Sequence, residues 1–179
     1  GASASKDDWM TQISGTGTED LAGNLKGAMR GFAQSVVIIT TLGDDGARYA
    51  MAATAVTPVS MDPPSMLICV NRTASAYRIL EGGAHFCLNI LSAAQADVGK
   101  CCAVSRGEDR FAIGDWRTDD DGLPYLAGAQ GAIVCHQRQV TAYGSHDIFV
   151  GDVRSVRLSG EIDPLIYLDG AYRRVGPAL

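Results

Sequence analysis

Ser35-Val36-Val37-Ile38-Ile39-Thr40-Thr41, then Gly43-Asp44-Asp45-Gly46, then Tyr49 to Thr54: this stretch decides the fold. The first run is dominated by β-branched residues and is too short for a buried helix, so it reads as a strand. Asp45-Gly46 closes a turn and Tyr49 to Thr54 returns, which makes an antiparallel hairpin. Towards the C-terminus, Val56 to Ser60 continues extended until Asp62-Pro63-Pro64 breaks it, and Met66 to Val70 is another apolar strand. Ala74 to Glu81 reads as a short helix ended by Gly82-Gly83. His85 to Leu91 reads as a strand, Ala93 to Val104 as a second, longer helix, and Gly107 to Gly128 as a long connection. Ile133 to Tyr143, Asp147 to Leu158 and Leu165 to Leu168 read as three more strands. Towards the N-terminus, Leu21, Leu25, Ala28, Met29 and Phe32 follow helical spacing. Thr16-Gly17-Thr18-Glu19 supplies a capping box for that helix, whose apolar stripe is expected on the core. Residues 1–17 are rich in Gly, Ser, Thr and Ala and are expected as a flexible leader, with a single domain over 18–179. Short strands, Gly/Asp/Pro turns, few helices and no strand–helix alternation predict a mainly β, antiparallel barrel or sandwich.

At 179 residues the chain has the length of one domain. Hydrophobic residues make up 46% and charged residues 20%, enough apolar surface to offset the entropy of ordering most of the chain. The net charge is -5 and no Lys/Arg cluster supplies a strong basic face, so no nucleic-acid partner is expected. No apolar run approaches the ~20 residues that span a bilayer, and no basic start precedes a hydrophobic run, so neither a membrane segment nor a signal peptide is expected. The five cysteines form no CxxC pair, which leaves a zinc ribbon or a thioredoxin-type motif without support. Cys69 and Cys87 lie in apolar runs, where a thiol behaves as a small hydrophobe, and a reducing, cytoplasmic setting is expected.

Little in the chain points to hydrolytic or metal chemistry. His85, His136 and His146 are far apart in sequence and there is no HExxH, so no metal site is expected. There is no GxSxG. Two segments suit an anionic or planar ligand better. Ala52-Ala53-Thr54-Ala55-Val56-Thr57 puts small residues and hydroxyls at a strand end, where a flat ligand can approach the backbone closely. Asn71-Arg72-Thr73-Ala74-Ser75 follows a strand and opens a helix, and hydroxyls, an Arg and helical N–H groups together attract anions. Gly144-Ser145-His146-Asp147 forms a turn between two strands and can place His146 at the mouth of a site. Taken singly, barrel packing, helix capping and an ordinary hairpin turn account for these three better than a ligand site does.

Taken as an ordered series, the chain resembles the flavin reductase family of short-chain, HpaC-like enzymes. The landmarks run from Met29-Arg30-Gly31-Phe32-Ala33 and Val36 to Thr41, through Met51 to Ser60 with Asp62-Pro63-Pro64. They continue through Cys69-Val70-Asn71-Arg72 to Ser75, Asp109-Arg110-Phe111, Gly144 to Gly151 and Gly170-Ala171-Tyr172-Arg173. The resemblance implies a split β-barrel of antiparallel, Greek-key strands with a few packed helices, working as a homodimer. It implies FMN or FAD as flavin and NADH or NADPH as co-substrate, with reduced flavin passed by diffusion to a flavin-dependent monooxygenase. It implies that Met51, Ala52, Ala53, Thr54 and Ala55 meet the isoalloxazine ring, with Val59 and Ser60 further along that wall. Asn71, Thr73, Ser75 and Ala76 correspond to the phosphate-side loop and Phe111 to a residue near the flavin. His146 corresponds to the histidine associated with the nicotinamide, and Tyr172 and Arg173 to a C-terminal border of the pocket. The chain departs from the family's Gly-Asp-His at Gly144-Ser145-His146, from its Ala-Asn-Ser at Ala53-Thr54-Ala55, and carries Pro58 where Ser is common. The same resemblance admits a reductase that holds its flavin tightly and passes electrons to another acceptor, such as a cobalt corrin. It also admits a flavin- or haem-binding split barrel without reductase activity.

Overall fold

The computed structural model describes residues 18–178. The expected leader, residues 1–17, and the Thr16-Gly17 half of the capping box lie outside the described residues. A helix α1 (Thr18–Met29) leads into strands β1 (Gln34–Ser35), β2 (Val37–Leu42), β3 (Arg48–Ala53), β4 (Val56–Met61) and β5 (Pro64–Asn71). Helix α2 (Tyr77–Glu81), strand β6 (Phe86–Ile90), helix α3 (Ala96–Val104) and the small strands β7 (Trp116–Thr118) and β8 (Pro124–Leu126) follow. Two long strands, β9 (Gly131–Tyr143) and β10 (His146–Leu158), and a closing hairpin of β11 (Leu165–Leu168) and β12 (Ala171–Arg174) complete the chain.

Seven strands form one antiparallel sheet in the order β3-β2-β6-β9-β10-β5-β4. Its two edge strands, β3 and β4, are joined by only Thr54 and Ala55. A sheet whose first and last strands are two residues apart has to curl until its edges nearly meet, which makes it a barrel with a seam rather than an open layer. Val37, Ile39, Ile68, Phe86, Leu88 and Phe149 fill the interior. Gly151 lets β10 pass close over that interior: a β-carbon there would sit 2.9 Å from both the Cys135 β-carbon and the Phe86 ring.

A second core lies outside the barrel wall. Ile38, Ala50, Leu91, Val98, Cys102 and Leu165 bring together the outer faces of β2 and β3, helix α3 and the three-stranded sheet β1-β11-β12. Buried Asn89 ties the long connection to this wall, donating through Nδ2 to the Ile38 carbonyl (2.9 Å) and accepting through Oδ1 from the Leu126 amide (2.7 Å). Both ends of the side chain are satisfied, so its burial costs little.

Three expectations need correction. The stripe of α1 does not lie on this chain's core: Leu21, Leu25, Met29 and Phe32 are 64, 62, 45 and 57% exposed. The strand read over Ser35–Thr41 is two strands, because Val36 hands the chain from the small sheet (Ser35 opposite Ile166) to the barrel (Val37 opposite Ala53). The Gly107–Gly128 connection holds a helical turn over Gly107–Phe111 and the β7–β8 hairpin, and β12 follows β11 through an Asp169-Gly170 turn. Asp169 and Gly170 have φ of 51° and 75°, as a two-residue hairpin of Asp-Gly type requires.

Candidate functional site

The chemistry of the β3 edge follows from the alternation of an antiparallel ladder. Residues in such a strand point N–H and C=O together, first towards the partner strand and then away from it. The Ala50 carbonyl faces away from β2, because it accepts from the Arg110 guanidinium. Ala52, two residues on, therefore turns its N–H and C=O to the same open side. Next to it a cavity of about 240 Å³ is lined by Val36, Ala52, Ala53, Thr54, Ala103, Tyr167 and Tyr172. Four of these are small residues, so a flat ring can lie against the backbone. Tyr172 forms the far wall. It is wedged where α3 carries Gly99, at which a β-carbon would sit 3.2 Å from the phenol oxygen. Burial raises the Tyr172 pKa, so the phenol keeps its proton.

Beside Ala50 the Asn71–Ser75 loop comes into reach. Arg110 donates from Nη1 to the Ala50 carbonyl and to Ser75 Oγ (3.3 Å), and from Nε to the Ser105 carbonyl (2.8 Å). A guanidinium is thus held between the β3 edge and the loop that opens α2. Asn71 closes the loop's other end, its Oδ1 accepting from the Thr73 amide (2.9 Å) and hydroxyl (2.8 Å). His146 stands opposite Asn71 in the β5–β10 register. Its Nδ1 is 2.9 Å from Ser145 Oγ.

The next residue anchors this rim. Buried Asp147 accepts from Arg72 Nε (2.8 Å) and Nη2 (2.7 Å) and from the Tyr77 hydroxyl (2.9 Å). Burial works against the carboxylate's charge, but hydrogen bonds from Arg72 and Tyr77 and the charge of Arg72 outweigh it, and the Asp147 carboxyl sits below the ordinary aspartate range. The Tyr77 hydroxyl, desolvated and bonded to Asp147 and Glu81, is pushed up to about 12. One buried carboxylate therefore locks the His146 turn, the Asn71–Ser75 loop and α2 to one another.

The family model described as "Flavin reductase like domain" matches residues 29–176. The chain belongs to this family. It is a flavin reductase. Over 162 residues it is 34% identical to the reductase component of FADH(2)-dependent resorcinol hydroxylase from Rhizobium sp. (strain MTP-10005), covering 89% of this chain and 90% of that one. Over 149 residues it is 36% identical to the FMN reductase (NADH) RutF of Pseudomonas syringae pv. syringae (strain B728a), covering 83% of each. Among solved structures it is similar to the NADH:FAD oxidoreductase SgcE6 of Streptomyces globisporus C-1027, with a TM-score of 0.82 at 27% identity over 92% of this chain and 99% of that one. The split-barrel fold and the flavin and nicotinamide chemistry expected from the sequence agree with these likenesses.

The structure of this flavin reductase sorts the expected site residues into groups. Ala52, Ala53, Thr54 and Tyr172 line one cavity, while Met51 points its side chain into the barrel interior and Ala55 lies in the bend after β3. Asn71, Thr73, Ser75 and His146 share the neighbouring rim, and Ala76 is buried at the start of α2. Phe111 is buried in the outer core, edge-on to Trp116 and capped by the Arg48 guanidinium, so it supports β3 from behind. Arg173 is exposed on β12. Val59 and Ser60 lie on β4, outside the residues that line the cavity. Ser60 Oγ is occupied by the turn that follows, accepting from the Asp62 amide (2.9 Å).

Sequence reasoning missed Arg110. It stands in the Asp109-Arg110-Phe111 landmark, but only Phe111 was given a role; an Arg next to a residue expected at the flavin was the available signal. His85 and His136, read as unrelated, stack with ring centroids 4.0 Å apart and line a separate cavity with Asp44, Asp119 and Asp121. Among the described residues, no group of three or more His, Cys, Asp and Glu is arranged to hold a metal ion.

Proposed function

We propose that this flavin reductase holds its flavin along the open edge of β3 and takes the hydride from NADH. The observation that carries the placement is the run of polar groups along one rim: the outward-facing Ala52 backbone, then the Arg110–Ser75 pair. A flavin's pyrimidine edge offers one donor flanked by acceptors, which a backbone N–H and C=O can meet, and its phosphate needs a cation and a hydroxyl several ångströms away. The hydride chemistry itself belongs to the two bound cofactors, so the protein's work is alignment and electrostatics. Ala52 fixes the ring in the plane of the strand edge. Arg110 and Ser75 take the phosphate. Tyr172 covers the ring's outer side and excludes water. His146, held by Ser145 and by the Asp147 anchor, offers its remaining ring nitrogen to the nicotinamide's carboxamide. No general acid or base is required.

The relatives support the wider setting. One carries the name of a hydroxylase's reductase component and another that of an NADH-dependent FMN reductase. On that basis reduced flavin leaves this enzyme for a partner monooxygenase. Among the described residues, no helix is long and apolar enough to cross a membrane. Five free cysteines suit a reducing cytoplasm. The active form is a homodimer: the apolar stripe of α1 and a groove lined by Phe32, Val56, Pro58, Met66 and Ile133 are surfaces for a second copy to cover. Leu25→Glu with Met29→Glu should then give a monomer in size-exclusion chromatography with light scattering.

The deciding experiment is NADH and NADPH oxidation by the purified protein, alone and with added FMN or FAD, with retained flavin measured after desalting. Turnover that requires added flavin supports the reading. Flavin retained through desalting without turnover would overturn it in favour of a binding protein or of a reductase for another acceptor. His146→Ala should raise the NADH KM severalfold and leave turnover detectable; unchanged kcat and KM would remove His146 from the site.

A further inference from the structure

The flavin chemistry makes no use of His85 and His136. His85 stands just ahead of β6, after the Gly82-Gly83 bend that ends α2, and His136 stands on β9. Phe86 and Cys135 are opposed in the β6–β9 ladder, so the two histidines are the next opposed pair outward. Opposed side chains on antiparallel strands lie about 5 Å apart at their β-carbons, within contact. Here the rings stack face to face, with centroids 4.0 Å apart and planes 13° from parallel. Exposed His85 covers half-buried His136. The Gln137 amide points at His85 Nδ1 (3.4 Å), which makes that nitrogen an acceptor and puts the neutral ring's hydrogen on Nε2. The Thr41 hydroxyl donates to the His85 carbonyl (2.7 Å). The link between α2 and β6 is thus held to β9 through the rings and to β2 through Thr41.

Charged groups face the pair from every neighbouring element. Asp44 of the β2–β3 turn and Asp119 and Asp121 of the β7–β8 turn line the cavity of about 240 Å³ beside it. Asp119 is used by its own turn, its Oδ1 accepting from the amides of Asp121 (3.0 Å) and Leu123 (2.9 Å). Asp152 of β10 stands opposite His136 but is paired with Arg138 of β9 (2.6 Å). Arg154 of β10 adds a further positive charge. Burial, then His85, then Arg154 lower the His136 pKa, and Asp121 offsets them only in part. A first proton on such a stack sits against a neutral ring face, whereas a second sets cation against cation. A proton on His85 Nδ1 would also turn one N–H against another.

We propose that the His85–His136 stack is an acid-released latch: as pH falls below about 6, a second proton parts the rings and frees the link between α2 and β6. A histidine whose folded pKa lies below its free value weakens the fold progressively as pH drops below that free value of about 6.5. The link bears on the flavin site from two sides. Helix α2 carries Tyr77 onto Asp147, and β9 runs on to Tyr143, opposite His146. Release of the latch therefore loosens the His146 rim.

The test is His136→Phe, which keeps an aromatic face against His85 and carries no proton. Between about pH 7.5 and about pH 5.5 the melting temperature of wild type should fall about 2–4 °C further than that of the variant. Amide hydrogen exchange over residues 82–86, corrected for its intrinsic pH dependence, should quicken severalfold in wild type at the lower pH and not in His136→Phe. Should His136→Phe fail to fold, His85→Phe carries the same test from the other ring. Equal pH dependence of melting and of exchange in wild type and variant would overturn the latch. A melting difference with no change of exchange at 82–86 would overturn it too, because the proton would then act on the whole fold and not on this link. Neither readout uses flavin or NADH, so the result stands apart from the cleft assignment.

Discussion

The two edges of the barrel began as the same kind of surface and end differently. A strand at the end of a sheet carries unpaired N–H and C=O groups, which folded proteins shield or use. On β4 the edge is shielded. Pro58 has no N–H to offer, the register slips between Pro58 and Ser60, and Val59 is the residue pushed out of the ladder, 52% exposed. Ser60 then spends its hydroxyl on the Asp62 turn. On β3 the edge is kept usable. Arg110 covers Ala50, and the next outward-facing residue, Ala52, opens onto a cavity bordered by small side chains. Neighbouring residues in sequence thus have opposite fates because one edge is bulged and capped while the other is straight and framed by α3 and Tyr172.

This contrast can be broken from either side. Ala52→Pro is expected to act most strongly. An outward-facing N–H on an edge strand can be lost without harming the ladder, so the fold should persist while FMN affinity falls about 10- to 100-fold. A tight FMN complex in this variant, read by quenching of flavin fluorescence, would mean the ring does not use the β3 backbone. Arg110→Ala should come next, weakening FMN about tenfold while riboflavin, which lacks the phosphate, binds nearly as before. Equal losses for both ligands would make Arg110 a support for Ala50 alone.

Asp147→Asn tests the anchor between the two edges. An aspartate whose carboxyl is held below its free range stabilises the fold above that range and loses its contribution as pH falls through the folded value. The variant should melt below wild type at pH 7, with the gap closing as pH drops below about 4. It should also raise the NADH KM severalfold, because the His146 turn loosens. A gap that stays constant with pH would show that the carboxylate's charge does not matter. The smallest effect is expected on β4: Ser60→Ala should cost about 1 kcal/mol of stability and leave flavin affinity unchanged. A clear loss of flavin there would put β4 back into the wall implied by family resemblance.

Helices α1 and α3 show where sequence patterning stops being informative. Both carry apolar residues at helical spacing. α3 buries Val98 and Cys102 against the outer core, whereas α1 leaves Leu21, Leu25 and Met29 exposed. Periodicity reports that a stripe will be covered, not by what, and a stripe covered by a second copy looks the same as one covered by the chain itself. The strand at Ser35–Thr41 shows a related limit. Its composition announced extended backbone, but the switch of partners at Val36 depends on β11, some 130 residues away.

What the sequence alone determined is local. β-Branched runs and Asp-Gly turns made the hairpins, and the order of the small-residue segment, the Asn71–Ser75 loop and the His146 turn marked the family. Such features depend on near neighbours, whose preferences survive in any context. The tertiary structure decided which edge stays open, that Arg110 crosses 35 residues of sequence to meet Ser75, and that His85 stacks on His136. These depend on closure of the barrel and on packing across it, and no window of sequence contains both sides of such a contact.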